Sequence, residues 1–202
     1  KNNIIKSIYF DHWKSIEHIK FEYLEKFPSF CLIHSKEINH PIGSALHARM
    51  SKAFKKTKFI IANSKYTKDL AIRMNIEDKK IHIINPGTNY PIEIGKEQKK
   101  RAKEIFGDSF PKIITVARLD KRKSHQNVLM TIKNLIPSYP DIKYVCIGSG
   151  DEKKNLENLK KQLGLEKQVV FLERTEEKLK AALLNESDLF LMPSVVYKKS
   201  VE

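Results

Sequence analysis

The chain has 202 residues, 41% of them apolar, and carries 38 Lys and Arg against 24 Asp and Glu, a formal net charge of +14. That is enough apolar material for one large or two small cores, and no apolar run nears the roughly 18 residues a membrane span requires. The excess charge is spread over both halves and no basic stripe interleaved with aromatics is present, so base stacking along a nucleic-acid groove is not indicated.

In chain order, IIKSIYF (4–10) and FCLIH (30–34) read as short strands, with an amphipathic helix over 14–26 between them. IGSALHARMSKAFKKTK (42–58) reads as a helix with Leu46, Met50 and Phe54 on its apolar face and Arg49, Lys52, Lys55 and Lys56 on the other. KFIIANS is a strand, Ser64 the N-cap of a helix through Met74, and IHIIN (81–85) a further strand closed by Pro86-Gly87. The two cysteines, Cys31 and Cys146, lie inside apolar strand-like runs, which predicts small buried hydrophobes in a reducing cytoplasm, with neither a disulfide framework nor a metal site. Lys1 is not an initiator Met and no signal segment follows it, which reads as a soluble chain, processed or a fragment.

Residues 91–111 change character, with Pro91, Gly95, the charged run KEQKKRAKEIF, Gly107 and Pro111, and are expected to form a charged connection with a short helix inside it. Beyond it, strands at about 113–117, 143–148, 168–172 and 188–192 alternate with helices at about 125–136, 152–163 and 176–186. That rhythm predicts βαβ units on a parallel sheet, with a ligand site at the C-terminal ends of the strands.

The same rule gathers chemically capable residues on one rim. Arg118, Lys121, Arg122 and Lys123 follow the first of these strands, Gly148-Ser149-Gly150 the second, Glu173, Arg174 and Thr175 the third, and Pro193-Ser194 the fourth. A cationic turn entering a helix suits an anion, because the helix's first N–H groups and dipole favour negative charge. The same cations read equally well as a solvated face. Gly148 and Gly150 fit either a close approach of backbone to phosphate or ribose or a plain strand-to-helix turn, since Lys153 replaces the third glycine of a dinucleotide fingerprint.

Taken together these segments resemble the family 4 retaining glycosyltransferases of the two-domain GT-B fold, also called glycosyl transferases group 1. The resemblance rests on FCLIHSKE, IIANSKYTKDL, IHIINPGTN, VARLDKRKSHQNVL, YVCIGSGDE, VVFLERTEEKL and SDLFLMPS, which occur in the family's order. It departs from the family pattern at Ser35, Asn89, Ser124 and Glu173, and Glu173, beside an anionic donor, is expected to face solvent. The implied fold class is α/β of GT-B type, two Rossmann-like domains facing a cleft and both incomplete here. Residues 1–90 would be the latter part of an N-terminal acceptor-side domain, 91–111 the charged connection, and 112–202 the first part of a C-terminal nucleotide-sugar domain. The family's glycine-rich loop is missing ahead of Lys1, and Glu202 matches the first of its paired glutamates while the second is absent.

The resemblance implies a hexosyl-type glycosyltransferase that moves a sugar from a nucleotide-diphosphate-sugar donor to an acceptor hydroxyl with retention, without a metal or other cofactor. As a fragment, the chain would be inactive alone. Arg118 and Lys123 would hold the diphosphate. His34 would face the sugar, or be an ordinary strand-end histidine. Gly148, Gly150, Arg174, Thr175 and Glu202 would complete the donor site, although Arg174 reads equally as solvated surface. Expected partners are the nucleotide sugar and a sugar or lipid-linked acceptor, with the basic face of 49–58 either solvated or resting on the inner face of an anionic membrane. A nucleotide-sugar epimerase or phosphorylase on the same architecture, and a basic nucleic-acid-binding module, are the rival readings.

Overall fold

A computed structural model of the chain describes residues 5–89 and 92–195, which divide into two compact units, Lys1–Thr88 and Asn89–Glu202. Each unit is built on a four-stranded, all-parallel sheet with helical crossovers.

Unit one runs β1 (Ile8–Phe10), α1 (Lys14–Glu17), α2 (Phe21–Lys26), β2 (Ser29–Ile33), α3 (Ala45–Lys56), β3 (Phe59–Ala62), α4 (Lys65–Arg73) and β4 (Ile81–Ile83), with strands in sequence order. The single helix expected over 14–26 is two, because Lys20 takes an extended conformation that ends one and restarts the other. Both deliver apolar residues inward, Ile16 and Leu24. Ser44 caps α3 by accepting the His47 N–H at 3.1 Å, and Ser64 caps α4 by accepting the Thr67 N–H at 3.2 Å. The buried stripe of α3 is His47, Met50, Ala53 and Phe54 rather than the expected row through Leu46, which is 36% exposed. His47 earns its inward position by bonding the Met74 carbonyl through Nε2 at 3.0 Å.

Alternation along the strands sends Phe10, Cys31, Ile33, Ile60, Ala62 and Ile81 into one core with these helices. The opposite face carries Tyr9, Phe30 and Phe59 as a row of stacked rings, centroids 4.8 and 5.0 Å apart, with Tyr9 68% exposed. On α3, Arg49 is committed to Glu17 through two bonds of 2.9 and 2.7 Å, which holds the Glu17 carboxyl below the usual carboxylate range. Lys56 reaches the Ile19 carbonyl. Part of the basic face is thus spent inside the unit. No helix among the described residues is long and apolar enough to cross a membrane.

Unit two runs α5 (Lys96–Phe106), β5 (Lys112–Val116), α6 (His125–Leu135), β6 (Lys143–Ile147), α7 (Lys153–Gln162), β7 (Val169–Leu172), α8 (Glu177–Glu186) and β8 (Leu189–Phe190), with sheet order β7-β6-β5-β8. The charged helix α5, expected between the domains, packs within this unit: Ala102 and Phe106 join Leu179, Ala182 and Leu183 of α8. Near-continuous apolar strands are what a sheet covered on both faces demands. Ile113, Tyr144, Cys146 and Val169 pack under α6 and α7, whereas Ile114, Val145 and Ile147 pack under α5 and α8. Each fully buried Ile or Leu among them contributes roughly 1.5 to 3 kcal/mol. Burial pushes the Cys31 thiol up to about 12 and the Cys146 thiol to about 11, so both are inert hydrophobes at neutral pH.

Candidate functional site

The topology of unit two selects a place before any side chain is considered. From β5 the chain moves outward through α6 and α7 on one face to β6 and β7, then returns through α8 on the other face to place β8 on the far side of β5. The order reverses between β5 and β8, and in open α/β sheets ligands bind outside the strands' C-terminal ends at such a reversal. Another hollow of this unit, about 430 Å³, lies at the opposite end, where Asp108, Asp141 and Lys143 line it around the starts of β5 and β6. Its position argues against it as the site.

At the C-terminal ends, backbone bonds join all four tips. The Gly148 N–H donates to Leu172 O at 2.8 Å, Ala117 N–H to Ile147 O at 3.0 Å, and Leu119 N–H to Ser149 O at 3.0 Å. On the other side Val195 N–H donates to Arg122 O at 2.8 Å. The two glycines make this possible. A Cβ on Gly148 would stand 1.9 Å from the Ala117 carbonyl oxygen, and one on Gly150 would stand 2.4 Å from that of Leu119, at φ of +155° and +159°. Both glycines therefore serve first to dock one loop on another, and any ligand meets the joined surface.

On that frame sits the cationic turn. Asp120 accepts the Lys123 N–H through its side chain at 3.2 Å, shaping a short 3-10 turn over 121–123. Ser124 follows at φ +56°, the left-handed conformation that glycine adopts most cheaply, which explains why the family pattern has glycine there. Lys123 Nζ reaches across the β5/β8 reversal to Ser194 Oγ at 3.3 Å. Arg118, with 82% of its side chain exposed, meets Asp120 at 3.3 Å, its one side-chain partner among the described residues. An exposed pair of this kind contributes about 0.2 to 1 kcal/mol, less than the 1.5 to 3 kcal/mol of a charge-assisted bond to a better-placed anion. The guanidinium is thus available for exchange. An open hollow of about 310 Å³ adjoins the turn, lined by Asp120, Lys121, Arg122, Asp151 and Glu152.

Beneath the turn lies a histidine whose role composition and spacing did not show. His125 is 2% exposed, and its Nε2 bonds the Arg118 carbonyl at 3.0 Å while Nδ1 lies 3.5 Å from both the Tyr144 hydroxyl and Cys146 Sγ. Burial raises the Tyr144 hydroxyl well above its ordinary range, so it stays a neutral donor. After β7, Glu173 is exposed and pairs with Lys153; Arg174 is exposed and Thr175 half-buried.

The structure therefore brings Arg118, Lys123, Gly148 and Gly150 together, with Arg174 and Thr175 on the adjoining tip. His34 belongs to unit one, at the exposed end of β2, where its Nδ1 meets Asn63 Nδ2 at 3.0 Å. Glu202 lies outside the described residues. Asp120 is an addition to the expected set, for which a D-x-x-K spacing is the signal, and Ser194, expected on the rim, is the residue that Lys123 meets.

A parallel α/β sheet with a cationic loop at its reversal has the form of the open, doubly wound α/β proteins, with the loop where their ligands bind. The sequence profile described as Glycosyl transferases group 1 matches residues 96–199, just over half of the chain, and the chain belongs to that family. An uncharacterized glycosyltransferase of Methanocaldococcus jannaschii is 26% identical over 175 residues, covering 81% of this chain and 45% of the relative. The chain thus spans about half the length of that protein. Among solved structures, HepE of Anabaena in complex with UDP superposes with a TM-score of 0.74 at 17% identity, over 94% of this chain and 53% of that one. Sucrose-phosphate synthase of Thermosynechococcus elongatus gives 0.67 at 16%, over 93% and 50%. At these identities the likeness establishes the fold.

Proposed function

We propose that the protein transfers a hexose from a nucleoside diphosphate sugar to an acceptor hydroxyl with retention at the anomeric carbon, as in the family 4 enzymes. The observation that carries the reading is the bond from Lys123 across the β5/β8 reversal to Ser194, with Arg118 displayed from the same loop. The solved relatives support it: HepE was captured with UDP, and the pneumococcal O-GlcNAc transferase GtfA with UDP and GlcNAc.

In this reading the barrier is set by charge building on the diphosphate as the anomeric bond breaks. Arg118 and Lys123 meet that charge from fixed positions, with no metal invoked. The surface made by Gly148-Ser149-Gly150 receives the nucleotide, Thr175 and Arg174 lie beside the base, His34 faces the sugar, and Glu202 holds sugar hydroxyls. The acceptor is a sugar or lipid-linked hydroxyl.

Incubation of the intact enzyme with α-linked UDP-hexoses tests the proposal even before the acceptor is known, because water can take the acceptor's place. Proton NMR read before mutarotation is expected to show UDP and the α-hexose. Release of the β-hexose would contradict retention, and recovery of an isomerised nucleotide sugar would contradict transfer.

A further inference from the structure

The strand tips of unit one hold a chain of polar groups that runs from Thr67 through Asn63 to the His34 ring. We propose that Asn63 is a positioning residue that keeps the proton of the neutral His34 ring on Nε2, so that this imidazole offers its ligand a hydrogen-bond donor and not a base. That the ligand is a sugar oxygen rests on the function proposed above; the location of the proton does not.

The argument starts from the far end of the chain. Thr67 is 2% exposed, and its hydroxyl donates to Asn63 Oδ1 at 2.6 Å; the Ser64 hydroxyl donates to the same oxygen at 3.4 Å. Ser64 Oγ is itself anchored by the Thr67 N–H as the cap of α4. The Asn63 carbonyl accepts from Asn85 Nδ2 at 3.2 Å, which ties the tip of β3 to the residues after β4. With its oxygen taken up by two hydroxyls, the Asn63 amide turns its NH₂ toward His34, and Nδ2 stands 3.0 Å from Nδ1.

A donor facing Nδ1 requires a lone pair there, and a neutral imidazole carries one proton, which is then on Nε2. The neighbouring carboxylate does not compete for the ring: Glu37 accepts the backbone N–H of His34 instead. His34 is exposed, so the Nε2–H points its donor capacity at whatever binds. A hydroxyl or glycosidic oxygen accepts from it. Removal of a proton from an acceptor hydroxyl at this atom is excluded, because Nε2 has no free lone pair.

Long-range proton–nitrogen correlation spectra of the uniformly ¹⁵N-labelled protein at pH 8 read the tautomer directly, with His34 identified by the signals lost in His34→Gln. The expected wild-type pattern is protonated Nε2 and unprotonated Nδ1. Asn63→Asp puts an acceptor where the donor stood and is expected to exchange the two ring-nitrogen shifts, moving the proton to Nδ1. The emission of Trp13, the single tryptophan and fully buried in this unit, reports whether the variant keeps its fold. Should Asn63→Asp not fold, Thr67→Val, which frees the amide, is expected to leave a mixture of tautomers. A wild-type ring protonated on Nδ1 or equally on both nitrogens, or a folded Asn63→Asp with an unchanged pattern, overturns the proposal. None of these outcomes depends on sugar transfer, which stands or falls on the nucleotide-sugar assay.

Discussion

Arg118→Ala in the intact enzyme is expected to lower turnover by about 10² to 10³-fold, the scale on which removal of one preorganised donor to a developing oxyanion is felt. In free energy this is about 2.7 to 4 kcal/mol of transition-state stabilisation. The substitution isolates that effect unusually well. What His125 holds is the Arg118 carbonyl, which alanine retains, and the side chain's one partner among the described residues is the half-buried Asp120. Melting of unit two should therefore be nearly unchanged while turnover collapses. Lysine is not a substitute, since a point charge replaces a planar fork that matches phosphate oxygens two at a time. A loss below threefold would mean that the guanidinium does not meet the diphosphate.

Gly148→Ala is expected to act in the opposite manner, on the frame before the chemistry. Its Cβ would stand 1.9 Å from the Ala117 oxygen and 2.9 Å from the Ala117 carbonyl carbon, at a φ of +155° that L-residues rarely adopt. Backbone strain of this kind costs about 1 to 3 kcal/mol, and forcing packed groups apart costs about 1 to 3 kcal/mol more. Neither neighbour is free to retreat. The Ala117 N–H is bonded to Ile147 and the Gly148 N–H to Leu172, so the clash breaks the junction of three strand tips. A loss near 3 kcal/mol would lower the melting temperature by roughly 10 °C or more for a unit of this size. Circular dichroism melts decide it. Wild-type stability in Gly148→Ala would contradict the packing described.

Much of this fold is legible in the sequence because the physics is local. In unit two, apolar strand runs alternate with helical spacing such as Val128, Leu129 and Ile132, and a run buried on both faces looks unlike an amphipathic helix. Ser64 is recognisable as a cap for the same reason. The failures are tertiary. Nothing in 14–26 shows that Lys20 will break the helix, and a stripe through Leu46 satisfies periodicity as well as the buried one through His47, whose choice depends on a carbonyl at Met74. At the site, Arg118 and Lys123 are legible as a cationic strand-to-helix turn. The work of Gly148 and Gly150 is not, since a glycine in sequence does not say whether a phosphate or a neighbouring carbonyl fills the space. His125 and Asn63 escape for a related reason: their importance lies in which polar atom they meet, and those partners are set by loops brought together only on folding.

The central claim is that the turn between β5 and α6 grips a diphosphate. Calorimetric titration of the protein with UDP and, separately, with uridine tests it most directly, since the two ligands differ only in the group at issue. Two charge-assisted bonds of roughly 1.5 to 3 kcal/mol each predict that UDP binds at least about 10²-fold more tightly than uridine. In Lys123→Ala that preference is expected to shrink by about tenfold or more. Equal affinities for UDP and uridine, or a preference untouched in Lys123→Ala, would contradict it.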